Sequence, residues 1–514
     1  MQANVRTAHL IRSTAILMAA FLANKILAIG RQIVIARAFG TGADYDAYVA
    51  AFRLPDILFM LIAGGALGTA FIPILTERLT RDSNSRDPGG WRLASSVLNT
   101  LLLAVIGLSV IVAILAGPLV RWVIAPGFSP ETQLLTANLM RLTLISTVIF
   151  SASSLLGAIL NTYQHFFLPA VAPLIYNLGI MAGAIFLAPR FGVYGLIVGV
   201  TLGAAGHFLI QVPGLIHYGF KYQPILDWGD HDLHQIVKLM GPRVLNIVVI
   251  QINFVVMFNL ASYLGEGSVS ALDYGWDLMQ MPQTVIGSAL GIVLFPTMSA
   301  LAAQGNIPAL RRTMAQALRI ILALSIPAMV GLIVLGRPII QVMFQRGQFG
   351  PDSTAAVYQA LQFWAIALVA HSALEVVNRV FYAQKDTITP FLSSVVSMVI
   401  NIGLALALYQ TLQAGGLALS NGIAVTVEVL IMLVIAHRRM AGVEASSTLN
   451  TLARTLLAAG AMGLAVITFT TLLPTLPPLL IVAGGGGLGL LVYLTVGLIL
   501  GVKEIRLMPR LVGR

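Results

Sequence analysis

The sequence predicts an all-α, polytopic membrane protein of about fourteen transmembrane helices, built as two pseudo-symmetric six-helix lobes followed by two further helices. Three observations predict it. Of the 514 residues, 58% are hydrophobic and only 10% are charged, against about 25% charged in soluble domains. Apolar runs of membrane-spanning length recur from end to end, and in lipid such a run is stable only as a helix that satisfies its own backbone. The chain also echoes itself at a spacing of 221–223 positions.

In chain order the apolar runs give spans at about 10–37, 45–76, 93–116, 132–160, 168–188, 193–216, 236–262, 268–301, 314–342, 355–383, 388–410, 415–437, 451–473 and 479–501. The first run follows Arg6 and Arg12, as a signal peptide would, but its apolar pattern continues through Lys25 with no small-residue cleavage site. It therefore reads as a retained helix. Between the sixth and seventh spans, "HYGFKYQPILDWGDHDLHQ" (217–235) mixes charges with aromatics and reads as an amphipathic segment lying on the membrane surface.

The repeat groups these spans. "GGALGTAFIP" (64–73) recurs as "GSALGIVLFP" (287–296), "PGFSPET" (126–132) as "GQFGPDS" (347–353), and "YGLIVG" (194–199) as "GGLALS" (415–420), while Pro169 is echoed by Pro390. Four echoes in register predict a first lobe at 1–217, a linker at 218–235, a second lobe at 236–440, and two extra helices with a basic tail at 441–514. Because six is even, the two lobes share one orientation in the membrane.

The net charge is +11 and cysteine is absent. Disulfides, thiolate catalysis and cysteine-ligated zinc are thereby excluded. In a membrane chain the basic excess points to cytoplasmic loops rather than to nucleic acid. Arg78, Arg92, Lys221, Lys238, Arg311, Lys385, Arg438 and Lys503 fall on one side of the predicted spans, whereas the other side has little beyond Arg121, Arg190, Arg337 and Arg346. That bias, with an even span count, predicts both termini in the cytoplasm.

The charges inside the spans carry the functional signal. Lys25, Arg31 and Arg37 are spaced six apart in the first helix, so each step turns about 600° and the three point in different directions. Arg37 is near the outer end and can snorkel. Lys25 and Arg31 lie deeper, where a cation costs at least ~2.5–3.5 kcal/mol and has to face water or a partner; a substrate role is favoured for this pair. Asp46 and Arg53 share a face of the second helix, and "RLPD" adds Pro55 and Asp56. These acids serve either as structural partners of the cations or as gating groups. In the second lobe the charges are Arg243, Asp273, Asp277, Glu375, Arg379 and Glu428. Glu375 and Arg379 have the i,i+4 spacing of an intrahelical pair; Asp273, Asp277 and Glu428 are gating or ion-pair candidates. The cation bias of the first lobe fits an anionic, phosphate-bearing substrate.

Other features are weaker. "DYD" (44–46) has the composition of a glycosyltransferase metal pair but stands alone, and His231 and His234 sit in a solvated linker. "GGGG" (484–487) lies in an apolar run without a P-loop lysine and reads as close helix packing. There is no nucleophile constellation, no metal site and no cofactor fingerprint, so the expectation is a transporter without a cofactor rather than an enzyme.

"GRQIVIARAFGTGADYDAYVAAFRLPDIL" (30–58), "APGF" (125–128), "GAILNTYQHFFLPAVAPLIYN" (157–177), "KLMGP" (238–242) and "YGWDLMQMPQTVIGSALGIVLFP" (274–296) resemble the MurJ (MviN) lipid II flippases. The likeness runs along nearly the whole chain. It implies a place in the superfamily of multidrug antiporters and polysaccharide exporters, in the bacterial inner membrane. It also implies movement of a polyprenyl-pyrophosphate-linked peptidoglycan precursor between leaflets by alternating access. Membrane lipids and cell-wall synthesis proteins are the partners it implies; nucleic acid is not. By this resemblance Lys25, Arg31, Asp46 and Arg53 form the substrate site, and the last two helices, about 451–501, form a groove for the lipid tail.

The sequence also departs from the family pattern. Asp277 stands where an Arg is usual, Gln280 where an acid is, Phe59 and Met60 replace a basic pair, Gly64 replaces an acid, and Lys25 stands where Arg is typical. Those changes leave two alternatives open: an exporter of another polyprenyl-linked glycan, or a multidrug antiporter of the same fold.

Overall fold

The computed structural model describes residues 2–61, 71–81 and 89–507, with the side chains of 2–19, 81, 89, 239–246 and 506–507 outside that description. Gly64, the 64–70 arm of the first echo and the Arg243 side chain therefore lie outside the described residues. What is described is helical, in the order α1 Gln2–Phe39, α2 Ala43–Phe59, α3 Ile72–Arg81, α4 Gly89–Leu119, α5 Pro130–Thr162, α6 Phe167–Ala182, α7 Ala188–Phe191, α8 Val193–Leu209 and α9 Val212–His217. It continues with α10 His231–Ser262, α11 Ser268–Gln283, α12 Ala289–Ala303, α13 Ile307–Met343, α14 Pro351–Ala383, α15 Ile388–Arg439, α16 Ala445–Leu472 and α17 Pro478–Ile499.

Ten helical runs among the described residues are long and apolar enough to cross a membrane, and α10 adds a shorter apolar stretch at Ile247–Ser262. These ten do not map one to one on the fourteen spans expected. The run Ile388–Arg439 joins two of them, and the first, second and seventh expected spans include residues outside the description. The chain is a multi-pass helical membrane protein.

The sequence echoes have a local cause. Pro130 opens α5 and Pro351 opens α14, because proline's fixed φ and missing N–H suit the first helical position. Both helices then run for 33 residues. Ser129 caps α5 by accepting from the Thr132 N–H at 3.2 Å, whereas Gly350 precedes α14 without a side-chain cap. After each helix the chain turns through a residue of positive φ, Gln164 at 56° and Lys385 at 61°, also 221 positions apart.

By internal packing the chain divides into one unit of residues 1–255 with 346–348 and another of residues 256–345 with 349–514. In the first unit one apolar cluster gathers Ala47, Ala50, Ala51, Val120, Ile124, Leu139, Met140 and Val193; the alanines of α2 let it approach α5 closely. A second cluster joins Phe71, Leu75, Trp91, Leu155, Ile159, Leu215 and Leu233. Around it Trp91 stacks on Tyr163 (5.3 Å between centroids) and Tyr163 on Tyr218 (4.8 Å). In the second unit Met298, Met314, Ile321, Val377, Val380, Phe381 and Met432 form one core. Ile326, Ala458, Met462 and Tyr493 tie α16 and α17 to α13 in another.

Residues 220–230 form no helix and are held against α3 and α4. Arg78 pairs with Asp232 at 2.7 Å and Asp230 at 3.2 Å, Arg92 with Asp227 at 3.0 Å, and the Asn99 amide donates to the carbonyls of Gln223 and Ile225.

α6 and the residue that follows it approach α8 at backbone distance. A Cβ on Gly199 would stand 2.6 Å from the Gly183 Cα, and one on Gly179 would stand 2.4 Å from the Gly203 Cα. In the "GGGG" stretch, by contrast, Gly485 packs against Leu335 and Val466 while Gly486 and Gly487 face open space. Small residues on two facing stripes are what a lipid-embedded pair uses to bring backbones together.

Candidate functional site

In the first unit the candidate cations Lys25, Arg31 and Arg37 lie on α1. Lys25 is exposed, on a face it shares with exposed Phe21, Leu22 and Ile26, and it makes no hydrogen bond or ion pair among the described residues. Arg31, a turn and two thirds further on, is half-buried, and its Nε is sealed from solvent without a hydrogen-bond partner. The 600° step thus separates the two side chains in direction. Arg37 is exposed near the end of α1, and its carbonyl accepts the Gln348 N–H at 2.9 Å, within the same unit.

α2 supplies the acids. Asp46 is buried, 1% exposed, in its first turn, while Asp44 two residues earlier is exposed. Two positions of a helix are about 200° apart, which explains the split and keeps the "DYD" carboxylates from converging. Arg53 and Asp56 are half-buried further along α2, on either side of buried Pro55. Gln32 of α1 donates to the buried Tyr45 hydroxyl at 3.1 Å and fixes the two helices near Asp46.

α6 completes this neighbourhood. The fields of Asp56 and Arg31 both reach the Tyr176 hydroxyl, and the Tyr176 ring packs on Phe150 at 4.9 Å. Phe150 in turn meets His207 at 4.4 Å and Phe59 at 5.2 Å. Phe59 is thus an aromatic packing group. Its neighbour Met60 accepts a hydrogen bond from the Gln251 amide at 3.2 Å.

Two amides were not singled out by sequence reasoning. Asn177 donates to Asn24 at 2.9 Å, joining α6 to α1 beside Lys25. Asn24 also lines a cavity of about 510 Å³, with Phe21, Ile72, Asn161, Phe166 and Pro169 among its walls. The signal available in sequence was slight: Asn24 and Asn177 are 153 positions apart in otherwise apolar segments.

The second-unit candidates are separate groups. Asp273 and Asp277 are half-buried on α11; between them Trp276 packs edge-on against Trp364 at 4.7 Å and His371 at 5.3 Å. Glu375 and Arg379 form their i,i+4 ion pair at 2.5 Å. Glu428 is only 6% exposed on α15 and accepts from the Ser397 hydroxyl.

In the first unit, then, α1, α2 and α6 carry the candidate cations, carboxylates and amides. Arg78, Arg92, Arg319, Arg379 and Arg439 each sit in a carboxylate pair. Lys25 and Arg31 have none among the described residues, which leaves their charge available to an anion.

Comparison with known proteins identifies the family. The family model described as "Lipid II flippase MurJ" matches residues 35–480. A "Probable lipid II flippase MurJ" of Vibrio cholerae is 31% identical over 404 residues, 77% of this chain and 76% of that protein. One of Haemophilus influenzae is 30% identical over 469 residues, 87% and 90% of the two chains. Among solved structures, "Lipid II flippase MurJ, inward closed conformation" is similar with a TM-score of 0.80 at 26% identity, covering 94% of this chain and 98% of that one. A multidrug resistance MATE family transporter of the MOP superfamily, in an inward-facing conformation, shares the fold at 17% identity, with a TM-score of 0.67 over 82% and 96% of the chains. The family match spans most of the sequence and the solved relative nearly all of it: the chain belongs to the MurJ lipid II flippase family.

Proposed function

We propose that this protein translocates lipid II across the bacterial inner membrane by alternating access, with both termini in the cytoplasm, and that it does so as a transporter rather than an enzyme. The observation that carries the reading is the pair Lys25 and Arg31, neither engaged by a carboxylate among the described residues. A pyrophosphate offers such cations charge-assisted hydrogen bonds, which are about twice as strong as neutral ones. Their desolvation is then offset by the ligand, while the polyprenyl tail stays in lipid along the last two helices.

Asp46 and Arg53 complete the substrate site in this proposal. Arg37, Asp56, Asp273, Asp277 and Glu428 act in gating or ion pairing. Neutralising the α1 charge with substrate removes the cost of enclosing it, which favours the outward switch, and the membrane potential acting on the same charges favours the return. Cell-wall synthesis proteins are the proposed partners of the flipped product.

The test is transport of lipid II in proteoliposomes by Lys25→Ala and Arg31→Ala, with rescue of cells depleted of their own flippase as the second readout. Both variants are expected to insert and to lose transport by tenfold or more; full transport by either would end the assignment. Export of another polyprenyl-linked glycan is the second reading, favoured by Asp277, Phe59 and Met60 at positions where the family pattern is different. The same assay with an undecaprenyl-pyrophosphate-linked sugar lacking the peptide separates the two.

A further inference from the structure

The base of the last two helices holds a polar cavity lined by none of the proposed substrate-site residues. It measures about 330 Å³, and Arg319, Arg454, Lys503, Glu444, Glu504 and Asn450 are among its lining residues. Three cations thus face two carboxylates, and the pairing is uneven. Arg319 takes both acids: its Nη1 lies 3.0 Å from Glu444 and its Nε 3.3 Å from Glu504, with a further bond to Ser447 at 2.8 Å. Arg454 donates from Nη1 to the Gly501 carbonyl at 3.0 Å and has the rest of its five N–H groups to offer. Lys503 is exposed and makes no hydrogen bond or ion pair among the described residues. The first turn of α16 opens on the same cavity, and Glu444, at φ 50° and ψ 43°, gives it no side-chain cap, so its amides add positive potential.

We propose that this cavity binds the phosphodiester headgroup of an anionic phospholipid. A phosphate between Arg454 and Lys503 meets two cations with donors to spare and an uncapped helix end, which is the chemistry that captures phosphate oxygens. The surroundings decide between a lipid and a soluble phosphate. α16 exposes Leu449, Leu456 and Leu457 (64% for the last), and α17 exposes Leu498 and Ile499 (77%) beside the cavity. α17 buries only Gly485, Gly489, Tyr493 and Gly497 among its residues. The polar cavity therefore stands at the foot of an aliphatic surface, where a headgroup binds with its acyl chains laid along the helices. Inorganic phosphate has no use for that surface.

The experiment is thermal unfolding of the purified full-length protein in neutral detergent, with phosphatidylglycerol, phosphatidylcholine or inorganic phosphate added. Lipid bound per protein is read in parallel by native mass spectrometry. Phosphatidylglycerol is expected to raise Tm by several degrees and to appear as a discrete adduct, while phosphatidylcholine and inorganic phosphate do neither. Lys503→Gln removes an exposed group without a described partner, so the variant folds; it is expected to lose at least half of the rise, and Lys503→Gln with Arg454→Gln to lose nearly all of it. An undiminished rise and adduct in both variants, or an equal rise with inorganic phosphate alone, overturns the proposal. None of these readouts depends on which glycan the transporter carries.

Discussion

Gln413 adopts φ 52° and ψ −136°, nearly the backbone conformation of Gly192, at φ 55° and ψ −142°, 221 positions earlier. In the first unit this corner separates α7 from α8; in the second it is the kink inside the run Ile388–Arg439. The fold repeats the corner, but only one copy has the residue that enters it without strain. A side chain in this region costs of order 1–3 kcal/mol, and the exposed Gln413 side chain makes no hydrogen bond or ion pair among the described residues. Gln413→Gly is therefore expected to stabilise the protein by about 0.5–1 kcal/mol after the extra chain entropy of glycine is subtracted. Thermal unfolding in detergent checks it, and a lower Tm would show that the corner is not strained.

The same pair shows why the sequence disclosed some of the architecture and not the rest. Proline leaves a visible mark: Pro130 with Pro351, and Pro169 with Pro390, betray matching helix starts because few residues suit those positions. Positive φ leaves a mark only when glycine fills it, so the Gly192–Gln413 and Gln164–Lys385 corners went unread. Cations in an apolar helix are conspicuous, hence Lys25 and Arg31; their amide neighbours Asn24 and Asn177 are not, because the contact exists only in three dimensions. Close helix packing was read at 484–487, where four glycines adjoin. A closer contact uses glycines four apart, Gly179 and Gly183 against Gly203 and Gly199 of α8, spaced to face one another once each segment is helical.

Asp386 binds the start of α15 to its end. One carboxylate oxygen accepts the Thr389 N–H at 2.9 Å, and the other accepts from the Thr389 hydroxyl at 2.6 Å and from Arg439 at 2.5 Å. Burial pushes this carboxyl up, but the bonds from Thr389 and Arg439 outweigh it and hold the group down at about 2. A depressed acid contributes stability above its unfolded value, about 3.9, and loses that contribution as pH falls through its folded value. Asp386→Asn is therefore expected to lower stability by about 0.5–1 kcal/mol at pH 7, with the difference from wild type closing between about pH 4 and pH 2. Parallel melts across that range test the sign; a difference that widens on acidification would contradict it.

Arg78 fastens residues 227–232 to the end of α3 through Asp230 and Asp232, whose side chains are 7% and 12% exposed. Removing the guanidinium leaves two largely covered carboxylates without their cation, at a cost of about 1.5–3 kcal/mol for hydrogen bonds to charged groups. Arg78→Ala is expected to speed proteolytic cleavage within 219–230 several-fold, whereas Lys221→Ala, at an exposed position, leaves the rate unchanged. Equal cleavage of the two variants would mean that the contacts of Arg92 and Asn99 hold the segment without Arg78.

Gly199 of α8 and Gly183, which directly follows α6, meet at backbone distance, so a side chain on either has nowhere to go except by parting the end of α6 from α8. Overpacking of this kind costs about 1–3 kcal/mol. Gly199→Leu is expected to reduce the yield of monodisperse protein and to lower its Tm by several degrees. Gly486→Leu, at a glycine where an added Cβ would meet open space, serves as the comparison and is expected to be neutral. If both variants behave alike, the α6–α8 contact is not a stability determinant.

Lys25 offers a sharper test of the transport reading than its removal. It stands where the family pattern has Arg, and it is exposed with no partner among the described residues, so either cation fits the position without disturbing a contact. Ammonium and guanidinium carry the same charge but differ in geometry: a guanidinium grips two phosphate oxygens at once, an ammonium acts as a point charge. If Lys25 serves only to balance charge, Lys25→Arg and wild type transport lipid II with the same apparent affinity. If it contacts the pyrophosphate, Lys25→Arg is expected to bind lipid II several-fold more tightly. Lys25→Gln is expected to bind at least tenfold more weakly, the loss of about 1.4 kcal/mol or more, with melting temperatures equal across the series. Binding titrations with lipid II and with undecaprenol, which carries no phosphate, separate the cases: the gain from Arg should vanish on the alcohol, because it offers the guanidinium no phosphate oxygens to grip.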